Sequence, residues 1–250
     1  MWGGRMKIGI VSDVHSNMEA LAAALSYLDE QQVEQIVCLG DVVGYGPSPN
    51  ECCEMLQEVN AVTLLGNHDA AVIGAMSTEY YYDAARLAIQ WTRRQLSTHN
   101  LEWLYQLPYT YRRPKEDVSF FHSAPICPSG YFYVVFKDDA QAHIRMFDKL
   151  TGLSLLGHSH LVRAFRLSDG KAKETQVTEI RREEDVRYIA SVGSTGQPRD
   201  RNPNGSVALY ESDSGELLIH RFDYDREATV AKIAEAGLES RFGERLLTGS

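Results

Sequence analysis

Five apolar runs of the sequence end in side chains that can bind metal ions. The runs lead into Asp13-x-His15, Gly40-Asp41, Gly66-Asn67-His68-Asp69, His122 and Gly157-His158-Ser159-His160. Imidazole nitrogens mixed with carboxylate and amide oxygens suit a borderline divalent cation such as Mn, Fe or Zn, whereas an all-oxygen set would suit Mg or Ca. A lone histidine is more often a hydrogen-bonded structural residue than a ligand, but seven donors at five run ends are hard to explain in that way. The pattern therefore predicts a metal centre.

Two of these motifs carry a pair of donors. Asp13 with His15, and His158 with His160, are each separated by one residue. Side chains two positions apart in an extended segment share a face. Each pair could therefore bind one ion, which predicts two ions per chain.

The elements that must position these donors are predicted by the alternation of apolar runs and helical patterns in the first half. This alternation is typical of βαβ units with a largely parallel sheet. Strands are expected at 7–12, 35–39 and 61–65, with one helix capped by Asn17 and another beginning at Ser48-Pro49. Ligands bind at the carboxyl ends of strands in open α/β sheets. All five motifs are therefore expected to converge there.

The rest of the chain divides into a helical, aromatic insertion at about 78–108 and short β-like stretches after Val118. The turn sequences Ser168-Asp169-Gly170 and Asp213-Ser214-Gly215 separate these stretches, so we expect hairpins that complete a second sheet. Two interpretations apply to the tyrosines at 80–82 of the insertion. They pack between helices, as aromatics at helical spacing usually do, or they form a lip that stacks on a nucleobase.

Length and composition indicate a single globular domain over residues 1–250, with 1–5 interpreted as an extension ahead of Met6. The net charge of -9 argues against duplex nucleic acid and anionic membranes as partners, because both require a basic face. No stretch is apolar enough for a membrane span, and four cysteines without a CxxC pair favour reduced thiols, so we expect a cytoplasmic protein. The oligomeric state stays open.

In this order, the motifs resemble the signature of the calcineurin-like metallophosphoesterases, in particular their small bacterial and archaeal members. The segment 192–200 also resembles a loop of those members, so the resemblance covers nearly the whole chain. It implies an α/β fold in which two mixed sheets lie between helices as a four-layer α-β-β-α sandwich. It also implies two divalent cations per chain, with Mn as the first choice and Fe or Zn as alternatives.

The same resemblance implies a role for each metal ligand. The first ion would be held by Asp13, His15 and His160. The second ion would be held by Asn67, His122 and His158. Asp41 would bridge the two ions.

Four further residues are expected to act on the substrate. The resemblance implies that His68 faces the leaving group, where it could serve as a general acid, and Asp69 could fix its tautomer. Arg199 is expected to clamp a second phosphate or the leaving group. Asn17 is expected to contact the phosphate, although its role as a helix cap is an equally good interpretation.

Two bound cations would attract a phosphate that the overall negative charge repels, and they would lower the pKa of shared water to give a hydroxide nucleophile. We therefore expect hydrolysis of a small phosphodiester or a nucleotide-like phosphoanhydride. The same ligands would serve a phosphomonoesterase, including a protein phosphatase. A non-catalytic binding scaffold of the same fold is the alternative from another class, and the complete ligand set argues against it.

Overall fold

Parallel strands in the first half of the chain form the centre of one sheet. In the computed structural model, which describes residues 6–250, the first elements are β1 (Lys7–Val11), α1 (Met18–Glu30), β2 (Gln35–Cys38), α2 (Pro49–Glu58) and β3 (Val62–Thr63). β1 pairs with β2, and β2 with β3, in parallel. The interpretation of residues 1–5 as an extension lies outside the described residues.

β3 is shorter than the stretch 61–65 predicted for it. Its ladder with β2 covers only Val62 and Thr63. The main-chain N–H of Leu65 instead donates to the carbonyl of Pro108 at 2.8 Å. The chain therefore leaves the ladder after Thr63, and Gly66 of the next motif packs against Asp41 in the loop that follows β2.

Three helices follow β3, of which the last two lie in the stretch 78–108 predicted to be helical and the first was not predicted. They are α3 (Asn67–Ile73), α4 (Asp83–Gln95) and α5 (Thr98–Tyr105). Ile89 of α4 and Leu104 of α5 are buried in the apolar layer that covers the first sheet. The tyrosines that precede α4 do not share one environment, because Tyr80 is 92% exposed while Tyr81 is half-buried.

A second sheet forms from the chain after residue 109. In chain order its elements are β4 (Thr110–Arg113), β5 (Val118–Phe121), α6 (Lys137–Gln141), β6 (Leu153–Leu156), β7 (Val162–Ser168), β8 (Lys171–Thr175) and β9 (Arg187–Val192). The strand order is β4-β5-β6-β9-β7-β8, in which β5, β6 and β9 run parallel. The turn predicted at Ser168-Asp169-Gly170 joins β7 to β8, and Asp169 and Gly170 both have the positive φ that a two-residue hairpin requires.

The last two strands correct one expectation, because they return to the first sheet and do not join the second. β10 (Gly205–Glu211) pairs antiparallel with β1, and β11 (Glu216–Phe222) pairs with β10. Alternate residues of β10 face opposite apolar layers, with Ala208 toward the second sheet and Val207 toward the helices. A strand that is apolar on both faces suits the interior of a sheet that is covered on both sides.

Apolar packing on both faces of each sheet gives four layers. The layer between the sheets includes Ile10, Leu39, Phe120 and Leu155, all fully buried. Outside the first sheet lie the helices of the first half, joined by α7 (Arg226–Glu235) and α8 (Ser240–Thr248), while α6 covers the second sheet. This arrangement confirms the predicted α-β-β-α fold class. Within residues 6–250, no helix has the length and apolarity needed to cross a membrane.

Candidate metal centre and adjoining cavity

The five motifs come together at one end of the two sheets. They follow the carboxyl ends of β1, β2, β3, β5 and β6, all of which are parallel to a neighbouring strand. Five of the predicted ligands have φ between 50° and 64°, namely Asp13, His15, Asp41, His158 and His160. This left-handed conformation costs a residue with a Cβ about 1–2 kcal/mol, and such strain is concentrated at functional sites.

Two glycines permit the close approach of these loops. A Cβ on Gly66 would lie 2.1 Å from the main-chain nitrogen of Asp41. A Cβ on Gly157 would lie 2.1 Å from Ser12 Oγ and 2.7 Å from Asp13 Oδ2. A larger residue at either position would therefore push a carboxylate ligand out of place. This steric restriction explains why glycine stands at these two positions of the sequence motifs.

A first cluster of ligand atoms comes from Asp13, His15 and His160. The Nε2 atoms of the two histidines lie 3.2 Å apart, and Asp13 Oδ1 lies 3.3 Å from His160 Nε2. Nδ1 of His15 donates to the carbonyl of Val43 at 3.3 Å, and Nδ1 of His160 donates to that of Gln197 at 2.5 Å. Because a carbonyl only accepts, both neutral rings carry their proton on Nδ1. Two Nε2 lone pairs then face each other, which is unfavourable unless a positive charge lies between them.

A second cluster comes from Asn67, His122 and His158. Nε2 of His122 lies 3.1 Å from Asn67 Oδ1, while its Nδ1 donates to the carbonyl of Leu39 at 3.0 Å. Nε2 of His158 donates to the carbonyl of Tyr131 at 2.9 Å, which leaves Nδ1 of that ring available as a ligand. The backbone thus fixes which nitrogen each ring offers, as second-layer hydrogen bonds do in metal sites.

Asp41 lies between the two clusters. Its Oδ2 is 3.6 Å from His15 Nε2 and 3.5 Å from His122 Nε2, and its Oδ1 accepts the main-chain N–H of His68 at 2.7 Å. In each of the sets Asp13-His15-His160 and Asp41-His122-His158, the possible ligand atoms lie within 4.8 Å of one another. The residues therefore fit two adjacent cations that share one carboxylate.

Burial and the neighbouring charges shift the pKa values of the candidate ligands in different directions. Burial raises the pKa of Asp13 to about 7. Burial lowers the pKa of His122, but the neighbouring charge of Asp41 overcomes this effect and raises it to about 9. Burial also lowers the pKa of His15, His158 and His160, which keeps these rings in the neutral form that binds a metal.

Residues 6–215 match the family described as the calcineurin-like phosphoesterase superfamily domain. The chain belongs to this superfamily. A metallophosphoesterase from Sphaerobacter thermophilus is 35% identical, with a TM-score of 0.84 over 99% of this chain and 100% of that one. An uncharacterised protein of Methanocaldococcus jannaschii is 34% identical over 97% of this chain and 98% of its own length. A hypothetical protein from Pyrococcus horikoshii OT3 shares the fold, with 17% identity and a TM-score of 0.79 over 98% of each chain.

A cavity of about 330 Å³ opens beside the candidate ligands of this phosphoesterase. Besides Asp41, Asn67, His158 and His160, its wall includes the tyrosines Tyr45, Tyr80, Tyr81, Tyr82, Tyr131 and Tyr133. The Tyr133 ring stacks on His158 at 4.0 Å between centroids and an interplanar angle of 12°. The space next to the metal centre is therefore walled largely by aromatic rings.

His68 lines this cavity and is 4% exposed. Its ring packs edge-on against His15 at 4.8 Å between centroids and lies 4.4 Å from the ring of Tyr45. Its Nδ1 is buried and has no hydrogen-bond partner among residues 6–250. Burial lowers the pKa of His68 to about 4 against the opposing charge of Asp41, so the ring is neutral near pH 7.

Arg199 also lines the cavity. Nη2 donates to Gln197 Oε1 at 2.8 Å, and the guanidinium carbon lies 5.7 Å from the centroid of Tyr45. Nε is buried, and no atom in the described part of the chain forms a hydrogen bond with it. The structure thus brings the predicted Arg199 to the cavity wall with an unused donor.

Asn17 and Asp69 both use their side-chain oxygens in local hydrogen bonds to the main chain. Asn17 Oδ1 accepts from the N–H of Ala20 at 3.1 Å, and Nδ2 donates to the carbonyl of Gly196 at 2.8 Å. Both ends of this amide are engaged, so the geometry supports the helix cap and not the phosphate contact. Asp69 accepts the N–H groups of Val43 and Gly66, both at 3.0 Å, one on each oxygen. Its carboxylate ties the start of α3 to the loop after β2 and does not orient His68.

Sequence reasoning missed the residues that support the ligands. The Ser12 hydroxyl donates to Asp13 Oδ2 at 2.6 Å, and the Ser194 hydroxyl donates to the carbonyl of Asp13 at 2.8 Å. Ser194 lies in the segment 192–200, whose resemblance to a family loop was the available signal, but the hydrogen bonds join positions 181 residues apart. From the sequence, Tyr81 is expected either to pack between helices or to belong to a lip that stacks on a nucleobase. In the structure its hydroxyl contacts the candidate ligand Asn67.

Proposed function

We propose that this phosphoesterase binds two divalent cations, with Mn as first choice, and hydrolyses a phosphodiester or a nucleotide-like phosphoanhydride. The observation that carries the proposal is the position of Asp41 Oδ2, 3.6 Å and 3.5 Å from nitrogen atoms of two separate ligand clusters. When bound, the cations supply positive charge to the phosphoryl oxygens and activate water as the nucleophile.

The ligands divide between the two ions in agreement with the clusters. Asp13, His15 and His160 would hold one ion, and Asn67, His122 and His158 would hold the other. Asp41 would join both. The chain supplies four imidazoles, one amide and two carboxylates, a donor set that suits Mn, Fe or Zn better than Ca.

His68 is the residue that we assign to the leaving group. It lines the cavity, belongs to neither ligand set in this assignment and has an unpartnered Nδ1. The low pKa of the buried ring opposes protonation, and the negative charge of a bound substrate phosphate would raise that pKa. His68 would then give a proton to the departing oxygen.

The cavity supports a substrate larger than a simple monoester. Arg199 has an unused buried donor beside the site, which suits a second phosphate or a polar leaving group. Tyr80 and Tyr82 are exposed on the wall of the same cavity and offer ring faces to a nucleobase. A nucleotide-like substrate would use both features.

Metal content and substrate preference test this proposal together. The chain would be stripped with a chelator, reloaded with Mn and assayed for bound metal, with Asp41→Asn as the variant that lacks a charged bridge. We expect two ions per unmodified chain and faster turnover of bis-p-nitrophenyl phosphate or diadenosine tetraphosphate than of p-nitrophenyl phosphate.

The possible results separate the alternatives. Much faster hydrolysis of the monoester would overturn the substrate assignment in favour of a phosphomonoesterase. A chain that binds no transition metal and shows no activity after Mn is added would support the scaffold.

A further inference from the structure

Tyr81 makes two hydrogen bonds to a single residue, the candidate ligand Asn67. Nδ2 of Asn67 donates to Tyr81 Oη at 2.6 Å. The same Tyr81 hydroxyl donates to the main-chain carbonyl of Asn67 at 3.2 Å. Asn67 is 7% exposed, and Tyr81 is half-buried with its ring edge-on to His68 at 5.3 Å between centroids. The phenol therefore covers the amide from the cavity side.

These two bonds determine which end of the Asn67 amide faces the metal centre. The hydroxyl proton has two acceptors within reach, the main-chain carbonyl of Asn67 and Met76 Sδ at 3.8 Å, and neither can donate, so Oη has only lone pairs left for the Asn67 side chain. Nδ2 must then face Tyr81. Oδ1, which lies 3.1 Å from His122 Nε2, consequently faces the second cluster.

The opposite orientation of the amide would prevent binding. With Nδ2 toward His122, two N–H groups would point at the position where a cation must lie. When His122 is in the neutral form that binds a metal, an amide that donated to its Nε2 would also gain a hydrogen bond that competes with the ion. The side chain alone has no preference strong enough to exclude this arrangement, because its oxygen and nitrogen ends have nearly the same shape.

We propose that Tyr81 is a positioning residue for the second metal ion, through the orientation that its hydroxyl imposes on Asn67. This inference rests on the two-cation centre proposed above. It gives Tyr81 a function distinct from nucleobase stacking, because the hydroxyl acts and not the face of the ring. Removal of second-layer partners typically weakens metal affinity about 10- to 100-fold.

Tyr81→Phe tests the proposal, since it keeps the ring and removes only the hydroxyl. Mn binding to chelator-treated protein would be measured by titration calorimetry, which resolves the two ions without an activity assay. We expect one ion to bind about 10- to 100-fold more weakly and the other to bind as in the unmodified chain.

Tyr105→Phe is the matched control. Its hydroxyl also donates to a main-chain carbonyl of the same helical region, that of Ile73 at 2.5 Å, but it contacts no candidate ligand. This variant should bind both ions normally, and the metal-free forms of both variants should melt at similar temperatures.

Three results would overturn the inference. They are normal binding of both ions by Tyr81→Phe, equal weakening of both ions, and the same loss in Tyr105→Phe. Each of these differs from failure of the proposed function, in which the unmodified chain itself would not bind two ions.

Discussion

At the scale of single residues, His68 lies next to a candidate ligand in the sequence, and its side chain is placed where it could transfer a proton. Its neighbour Asn67 points into the second cluster, while His68 lies against Tyr45 with Nδ1 unpartnered. The main-chain N–H of His68 donates to Asp41 Oδ1 at 2.7 Å, so the backbone is fixed by the bridging carboxylate. The side chain is thereby placed beside the site, with a ring nitrogen within 4.8 Å of ligand atoms of His15 and Asp41, and in the proposed assignment it holds no ion.

Replacement of His68 by alanine tests the proposed general acid. A poor leaving group such as a ribose alkoxide needs a proton, whereas p-nitrophenolate leaves readily without one. His68→Ala should therefore lose about a hundredfold or more in kcat on an alkyl ester and clearly less on the nitrophenyl ester, with both ions retained. Parallel assays on the two esters, together with metal analysis, provide the measurement. Equal losses would indicate charge stabilisation instead, and loss of an ion would make His68 a ligand.

The candidate ligands could be identified from sequence because each directly follows an apolar run, and strand ends of a parallel sheet must meet. The roles that depend on the orientation of a side chain could not be identified from the sequence. Asp69 and Asn17 both have the right chemistry for the site, but local main-chain N–H groups at the starts of α3 and α1 take up their oxygens. Short-range hydrogen bonds of this kind compete with a functional role, and sequence spacing does not show which one prevails.

At the scale of elements, the segment that precedes α4 divides its three tyrosines among different environments. Tyr81 turns inward to Asn67. Tyr82 is 44% exposed, and its hydroxyl accepts from Arg245 of α8 at 3.2 Å. Tyr80 is 92% exposed on the wall of the cavity. The two interpretations from sequence, core and lip, therefore apply to different members of one short run.

Tyr80 is the member best suited to test the lip. Because it is almost fully exposed, Tyr80→Ala should leave the melting temperature unchanged. If the ring stacks on a nucleobase, its loss should raise the Michaelis constant for a dinucleotide substrate about fivefold or more while sparing p-nitrophenyl esters, since one stacked base contributes about 1–3 kcal/mol. Leu87→Ala, which truncates a 61% exposed side chain of α4 away from this cavity, is the control. Equal losses on both substrates would contradict the stacking role.

The elements also show where prediction from sequence stops. The local periodicity of apolar residues located most of the strands and helices, because a buried face of either element places apolar residues at short, regular intervals in the sequence. It could not assign β10 and β11 to the first sheet, since an apolar strand fits either sheet equally well. That choice is made by the open edge of β1, which is almost 200 residues away in the chain.

At the scale of the whole molecule, the candidate metal centre lies where the two sheets meet. Three ligand-bearing loops follow strands of the first sheet and two follow strands of the second. Carboxylates and imidazoles from both sheets are buried together there, with Asp13 and Asp41 no more than 1% exposed. Cations at this position would stabilise the packing of one sheet against the other.

Chelation should therefore destabilise the fold as a whole. An ion present at a hundred times its Kd stabilises the folded state by about 2.7 kcal/mol, and for a chain of this size each 1 kcal/mol corresponds to roughly 2–4 °C in Tm. We expect Tm to fall by about 5–10 °C per ion when EDTA is added to Mn-loaded protein in a calorimetric scan. Asp41→Asn should respond much less, because its metal-free form is already the dominant one. A Tm that does not depend on metal would contradict the proposed centre.

The pairing of β1 with β10 also determines when the site can exist during synthesis. Ser12 and Thr195, which hydrogen-bond behind Asp13, are separated by 183 residues. A ribosome adding about 5–20 residues per second needs roughly 10–40 seconds to cover that distance. Until then β1 has an unpaired edge, and Asp13 lacks the hydrogen-bonded support of the 192–200 loop. A nascent chain that already contains His158 and His160 would therefore not yet hold the first ion as the finished protein would. The proposed first ion would therefore bind only after synthesis has passed this loop, and until then the edge of β1 would be open to pairing with another strand.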